Sequence, residues 1–194
     1  MTRIVAGVAG GRRLAVPDKG TRPTSDRVRE ALFSAVESAV DLADARVLDL
    51  YAGTGALGLE ALSRGAASAL FVESAPGALA VLRKNVAAVG LPGVVRAGRV
   101  AAVLATGSAD PFDLVLADPP YVVADLTAEL TALVTGGWVG PGSFVIVERS
   151  RRAAALDWPE PLAAMKVRHY GETSLHWARW RDQDHRQQVV PGEG

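Results

Sequence analysis

The chain has 194 residues, 49% of them hydrophobic, with 21 basic and 21 acidic side chains and no cysteine. This length and composition favour one domain with a sizeable core, and the lack of thiols excludes disulfides and thiolate metal sites. No apolar run approaches the ~18 residues of a membrane-spanning helix and the first residues do not resemble a secretory signal, so we expect a cytoplasmic protein.

The first thirty residues differ from the rest of the chain in charge. They hold seven basic and three acidic side chains, a net charge of +4 in a chain whose total is zero. Localised positive charge predicts contact with an anionic partner such as an RNA backbone. An ordinary solvated terminus explains the charge equally well.

The chain opens with a predicted hairpin and a predicted helix. Residues 3–9 and 12–17 are β-like runs around Gly10-Gly11, which is typical of a hairpin. A helical pattern follows, capped by Thr24 or Ser25 and extending to Val40. We therefore predict a hairpin extension over residues 1–22, a main domain over 23–182 and a polar tail over 183–194.

Strands and helices alternate from residue 46 onward. The predicted strands are 46–51, 68–73, 93–98, 112–117 and 142–149, followed by two strands within 165–180. The predicted helices are 56–65, 77–90, 100–106 and 126–137. This alternation predicts a Rossmann-like α/β fold, with a seven-stranded, mostly parallel sheet, helices on both faces and an antiparallel edge.

A glycine-rich turn follows the first strand of this series. Gly53, Gly55 and Gly58 have the spacing G-x-G-x-x-G, which is typical of nucleotide binding when it opens a helix. Glu73 ends the next strand, where a carboxylate can accept hydrogen bonds from ribose hydroxyls. Asp49 would favour a cationic group, which points to S-adenosylmethionine rather than a dinucleotide. A glycine turn without a ligand is the alternative.

The fourth strand ends in Asp118, Pro119, Pro120 and Tyr121. Open α/β sheets bind ligands outside the carboxyl ends of their strands, so this corner should face the glycine turn. A carboxylate and a backbone carbonyl can accept the two N–H groups of an exocyclic amine. The prolines stiffen the backbone, and the tyrosine can stack on a base. These residues predict an amine methylation site, and a plain turn is the alternative.

Several segments together resemble a known family. "RIVAGVAGGRRLAVP", "TRPTSDRVREALFSAV", "DLYAGTGALGLEALSRGA", "FVE", "DPPY" and "YGETSLHW" are similar to segments of class I S-adenosylmethionine-dependent methyltransferases that act on amino groups. The similarity over about residues 3–180 is greatest to the bacterial 16S ribosomal RNA guanine-N2 methyltransferases, the RsmD-like family. It implies methylation of one guanine N2 in small-subunit ribosomal RNA, on assembled or partly assembled 30S subunits. We expect a monomer that binds no metal, no DNA and no membrane.

The resemblance also implies residue roles. Cofactor contacts are expected from Asp49, Tyr51, Ala52, Gly53, Thr54, Gly55, Glu73, Ser74, Arg99, Val100 and Asp118. The catalytic corner is Asp118, Pro119, Pro120 and Tyr121, and RNA contacts are expected from Arg3, Arg12, Arg13, Arg22, Thr24, Arg27 and Arg29. Gly98 and Arg99 stand where such enzymes often carry an acidic or amide residue for the adenine amine. That contact is expected instead from backbone near Arg99 and Val100.

Other functions are compatible with parts of the pattern. A DNA adenine methyltransferase would need a target-recognition insert, for which no segment has room. A protein amide methyltransferase would more often carry asparagine at position 118. A nicotinamide-dependent dehydrogenase leaves Asp-Pro-Pro-Tyr unexplained, and a non-catalytic RNA-binding module leaves both sites unexplained.

Overall fold

The computed structural model describes residues 2–17, 26–120, 123 and 125–181. Its strands are β1 (Thr2–Arg3), β2 (Arg13–Leu14), β3 (Arg46–Leu50), β4 (Ser68–Glu73), β5 (Gly93–Ala97), β6 (Leu114–Ala117), β7 (Phe144–Ser150), β8 (Leu162–Tyr170) and β9 (Thr173–Trp180). Its helices are α1 (Asp26–Glu37), α2 (Ala56–Ser63), α3 (Pro76–Val89), α4 (Val100–Leu104) and α5 (Thr127–Thr135).

In the part of the chain that the structure describes, seven strands form one sheet in the order β5-β4-β3-β6-β7-β9-β8. The strands from β5 to β7 are parallel, β9 is antiparallel to β7, and β8 is antiparallel to β9. This confirms the predicted fold. The chain moves outward from β3 to β5 on one side and from β6 to β9 and β8 on the other. The switch between β3 and β6 therefore opens a crevice at their carboxyl ends.

Two apolar layers cover the sheet because side chains of successive strand residues point to opposite faces. Val47, on one face, packs in a cluster with the hairpin and with α1, α2 and α3. Leu48, on the other face, packs with α4 and α5. Helices therefore lie on both faces, as the alternation predicts. No helix among the described residues is long and apolar enough to cross a bilayer.

The amino-terminal hairpin is shorter than the predicted strands 3–9 and 12–17. Only Thr2 pairs with Leu14 and Arg3 with Arg13. Some backbone donors between the two strands bond to α2 instead of a partner strand: Val5 N–H and Ala6 N–H donate to the Glu60 carboxylate at 2.6 and 3.0 Å. We call residues 2–17 the arm. Since the arm also buries apolar side chains in the main core, it is packed as part of the same body.

Two other boundaries differ from the predictions by three residues. Helix α1 ends at Glu37 rather than near Val40, although Val40 N–H still bonds to the Val36 carbonyl at 2.7 Å. Strand β8 begins at Leu162, three residues before the predicted start at 165, because it pairs with the whole of β9 to Trp180. The predicted caps Thr24 and Ser25 lie outside the described residues.

Candidate active site

The turn from β3 into α2 is held in unusual backbone conformations. Tyr51, Gly53 and Gly55 have φ angles of 60°, 55° and 81°, all in the left-handed region. At Gly55 the left-handed conformation favours glycine, and an added Cβ would also lie 2.6 Å from Leu82 Cδ1, which would have to shift. At Tyr51 the conformation costs on the order of 1–3 kcal/mol, and such strain is typical of functional sites.

The Tyr51 side chain extends toward α5. Its hydroxyl lies 3.5 Å from Glu129 Oε1. Burial, followed by the charge and hydrogen bond of Glu129, raises the pKa of Tyr51 to about 12. Tyr51 is therefore a neutral donor at physiological pH, held against the helix that follows the catalytic corner.

The Glu73 carboxylate connects the glycine turn to the start of α3. Oε2 accepts the Gly53 N–H at 2.9 Å, and Oε1 accepts the N–H groups of Ser74 and Ala75 at 2.7 and 2.8 Å. A carboxylate has about four acceptor positions, so these bonds leave roughly one, on Oε2. The Glu73 carboxylate therefore keeps acceptor capacity on Oε2 beside the glycine turn.

Asp49 lies beneath the glycine turn with 1% of its surface exposed. Its Oδ2 accepts the Gly58 N–H of α2 at 2.8 Å. Burial raises the pKa of Asp49 well above its ordinary value, against the opposing effect of that hydrogen bond, and the charges of Asp118 and Glu73 raise it further. Asp49 is thus buried close to the carboxylates of Glu73 and Asp118, and a positive charge nearby would relieve their repulsion.

Asp118 lies directly beside the end of β3. Its N–H donates to the Leu50 carbonyl at 3.4 Å, which continues the β3–β6 pairing by one residue, and its side chain is half-buried. Pro119 is buried and Pro120 is exposed, and the Pro120 carbonyl accepts the Val123 N–H at 2.8 Å in a tight turn. The structure therefore brings Asp118 to the glycine turn, as predicted. Tyr121 lies outside the described residues.

The remaining predicted cofactor residues surround the same crevice. Ala52 N–H donates to the Val72 carbonyl at 3.0 Å, and Gly98 N–H donates to the Glu73 carbonyl at 2.9 Å, so β3, β4 and β5 end together. Arg99 is exposed, whereas the Val100 side chain is buried at the start of α4. An adenine contact at Arg99 and Val100 would therefore come from their backbone groups rather than from the buried Val100 side chain.

The structure contradicts one predicted RNA contact, that of Arg29. Its side chain is 0% exposed, and Nη2 donates to the Arg3 carbonyl at 2.8 Å and pairs with Asp26. Burial lowers the pKa of Arg29, although Asp26 and Glu60 oppose that effect. A phosphate cannot reach this guanidinium, which holds the arm to α1. A count of charges in a sequence does not reveal such burial.

The other predicted RNA residues have varied surroundings. Arg3 is exposed and pairs with Asp26 at 3.2 Å, and Arg13 and Arg27 are exposed. The Arg12 side chain donates to the Val89 carbonyl at 3.0 Å and to the Ala88 carbonyl, so it also caps the carboxyl end of α3. Arg22 and Thr24 lie outside the described residues.

Three buried polar residues that the sequence analysis missed attach the arm to α2 and α3. They are Glu60, Ser63 and Asn85, each at most 3% exposed. Asn85 falls three residues after buried Leu82 on the inner face of α3, where a polar side chain requires partners. A polar residue on the apolar face of a helix was the sequence signal that could have identified Asn85. The partners, about 30 to 70 residues away, were not predictable from spacing.

The chain is similar in sequence to a known protein family and to named relatives. Residues 2–179 match the family model described as Conserved hypothetical protein 95. The chain is 40% identical over 149 residues to ribosomal RNA small subunit methyltransferase D of Escherichia coli (strain K12), covering 75% of this chain and 73% of the relative. It is 32% identical over 182 residues to the protein of that name from Haemophilus influenzae, covering 89% and 90%.

A solved structure shows the same similarity in three dimensions. The yhhF protein of Escherichia coli superposes with a TM-score of 0.82 at 32% identity, covering 92% of this chain and 97% of that one. Because these matches extend over the arm, the sheet and the closing strands, they concern the whole described fold rather than the nucleotide-binding part alone.

Proposed function

Since the chain belongs to the Conserved hypothetical protein 95 family, with the ribosomal RNA small subunit methyltransferases D among its relatives, we propose that it is a ribosomal RNA methyltransferase. The proposed reaction moves a methyl group from S-adenosylmethionine to the exocyclic N2 of one guanine in 16S ribosomal RNA of the small subunit. The observation that carries this proposal is the crevice in which Asp49, Glu73 and Asp118 adjoin a strained glycine turn.

The residues of the crevice fit this cofactor. The remaining acceptor capacity of Glu73 Oε2 suits a ribose hydroxyl. At Gly53 a Cβ added to the backbone would lie 3.9 Å from the nearest atom, so the space beside this glycine is open. The acidic surroundings that Asp49, Glu73 and Asp118 form together suit a ligand with ammonium and sulfonium groups. When bound, S-adenosylmethionine supplies an electrophilic methyl group. The protein supplies the negative surroundings that hold a cation in place.

The catalytic corner suits a poor nucleophile. The lone pair of a guanine N2 is delocalised into the ring, so it must be oriented rather than simply deprotonated. The Asp118 carboxylate and the Pro119 carbonyl would each accept one N–H of that amine. Because the backbone pairing and the prolines fix both acceptors, alignment costs little entropy when the base arrives. Formation of the nitrogen–carbon bond would break the sulfur–methyl bond and leave S-adenosylhomocysteine, and the amine would lose one proton to the Asp118 carboxylate or to water.

The RNA would approach over the arm and the start of α1. Arg3, Arg13 and Arg27 place exposed positive charge there, while the whole chain is neutral. Phosphate contacts of this kind orient a nucleic acid but do not read its sequence. We therefore propose that the assembled or partly assembled 30S subunit supplies the specificity, by presenting one accessible guanine.

The proposal is tested by cofactor binding and by a panel of acceptors. Calorimetry should detect S-adenosylmethionine binding and no comparable binding of NAD. With tritiated S-adenosylmethionine, we expect label in 30S subunits that lack the modification, and little in naked 16S RNA or duplex DNA. Label in DNA or in a protein glutamine would contradict the proposed substrate. Binding of NAD alone would contradict the proposed reaction class.

A further inference from the structure

Asn85 makes three hydrogen bonds to two separate parts of the molecule. Its Nδ2 donates to the Thr54 carbonyl at 2.9 Å and to the Ala15 carbonyl at 3.0 Å. Its Oδ1 accepts the Ala15 N–H at 2.8 Å. Both amide hydrogens are therefore used, and the partners fix the orientation of the amide, because a flipped group would place oxygen against two carbonyls.

These partners belong to the two regions that the proposed function assigns to cofactor and RNA. Thr54 lies in the glycine turn between Gly53 and Gly55, and its side chain is 8% exposed. Ala15 follows β2 in the arm, and the chain continues from it toward Lys19 and Arg22. Asn85 is 3% exposed and sits on α3, so a rigid helix holds the connection in place.

We propose that Asn85 is a positioning residue that couples the cofactor turn to the arm. A ligand that immobilises the Thr54 carbonyl also immobilises the Asn85 amide, and with it the strand-like pair of bonds to Ala15. Ordering one side lowers the entropy cost of ordering the other, without any change of shape. Because coupling between sites is reciprocal, RNA held by the arm then raises cofactor affinity. This inference rests on the proposed function for the identity of the two ligands.

Ser63 provides a matched control. It is 1% exposed, and its Oγ accepts the Ala9 N–H at 2.9 Å and donates to the Ala6 carbonyl. It therefore holds the arm as Asn85 does, but from α2, with no bond to the glycine turn. Ser63→Ala should loosen the arm generally and leave its coupling to the cofactor site intact.

Hydrogen exchange on the full chain tests the coupling without RNA. Exchange of peptides covering residues 12–17 is compared with and without saturating S-adenosylmethionine. In the unmodified protein we expect the cofactor to slow this exchange by about fivefold or more, the lower end of ordinary coupling between sites. In Asn85→Ala the cofactor should no longer slow this exchange, whereas in Ser63→Ala it should slow it as much as in the unmodified protein. Equal ratios in Asn85→Ala and the unmodified protein would overturn the proposal.

A second variant guards against loss of folding. Asn85→Asp keeps the shape and the acceptor for the Ala15 N–H, but its ionised carboxylate lacks both donors. In this variant too, the cofactor should no longer slow exchange in residues 12–17. In this variant alone, lowering the pH should restore part of the slowing, because a protonated carboxyl can again donate to one carbonyl. Thermal unfolding verifies that each variant is folded, and a pH-independent loss in Asn85→Asp would contradict the role of the donors.

The two proposals fail in different ways. If the cofactor protects the arm in the unmodified protein but no ribosomal RNA is methylated, the proposed function fails and the coupling stands. If ribosomal RNA is methylated and Asn85→Ala keeps the full exchange ratio, only the coupling fails. A protein that does not bind S-adenosylmethionine at all would overturn both.

Discussion

At the scale of single residues, three carboxylates define the site. The folded protein buries Asp49 next to Asp118 and Glu73 although burial and like charge both disfavour ionisation. One compensating contact is the Gly58 N–H. Such an arrangement lowers stability, so it indicates function rather than folding.

Asp49→Asn should stabilise the folded protein near neutral pH. The pKa of Asp49 is raised in the folded state, so folding becomes less favourable as the pH rises from the ordinary carboxyl range of about 4 toward that raised value. An asparagine oxygen can still accept the Gly58 N–H without this penalty. The melting temperature of the variant should therefore exceed that of the unmodified protein at pH 7, and the difference should shrink toward pH 4. A difference that grows in acid would contradict this interpretation.

Asp118→Ala should remove activity and spare cofactor binding. The loss of an acceptor for the reacting amine should lower kcat by roughly 100-fold or more. Calorimetry should give an affinity for S-adenosylmethionine within a few-fold of the original. Asp110→Ala is the control, since the Asp110 carboxylate is 76% exposed and pairs with Arg46 at the amino end of β3. Near-normal turnover in Asp118→Ala would remove this residue from the catalytic role.

At the scale of elements, the order of strands and helices was predictable from the main sheet onward because buried strands and amphipathic helices carry different periodicities. The amino-terminal hairpin was predictable as well, but the packing of the arm was not, because backbone donors of the arm bond to Glu60 and Ser63, about 55 residues away. The same long-range bonding hides the roles of Asn85 and Arg29. Asp118, Glu73 and the glycines were predictable as a group because a parallel sheet brings strand ends to one edge.

The close packing of α2 on β4 depends on Gly58. A Cβ at this position would lie 2.4 Å from Phe71 Cε1 and 3.1 Å from Asp49 Oδ2. Gly58→Ala should therefore lower the free energy of unfolding by about 1–3 kcal/mol, as overpacking of a core does. Gly77→Ala on α3 is the control: nothing lies within 4 Å of its added Cβ, so it should be neutral or stabilising by about 0.5–1 kcal/mol. Denaturant unfolding compares the two, and equal effects would contradict this account of the packing.

At the scale of the whole molecule, a chain of zero net charge carries a basic amino-terminal region and an acidic crevice. On the proposed function the two charges serve different ligands, since the phosphates of RNA and the cation of the cofactor are attracted to opposite signs. A zero net charge keeps binding to nucleic acids in general weak. The arm therefore concentrates attraction where the substrate should dock.

Arg27→Ala should weaken subunit or RNA binding in a way that depends on salt. Removing one phosphate contact should reduce the slope of log affinity against log salt by about 1. Arg179→Ala is the control, because Arg179 is exposed but stacks on Phe144 at the amino end of β7, away from the crevice. Equal slopes for Arg27→Ala and the unmodified protein would exclude a phosphate contact at Arg27.

The central claim is that this crevice methylates one guanine amine in the small subunit. The most direct measurement incubates unmodified 30S subunits with the protein and S-adenosylmethionine, digests the RNA, and identifies the methylated nucleoside and its position by mass spectrometry. The account predicts N2-methylguanosine at a single position, absent with Asp118→Ala. Methylation of another base or another atom, or label that persists in Asp118→Ala, would contradict it.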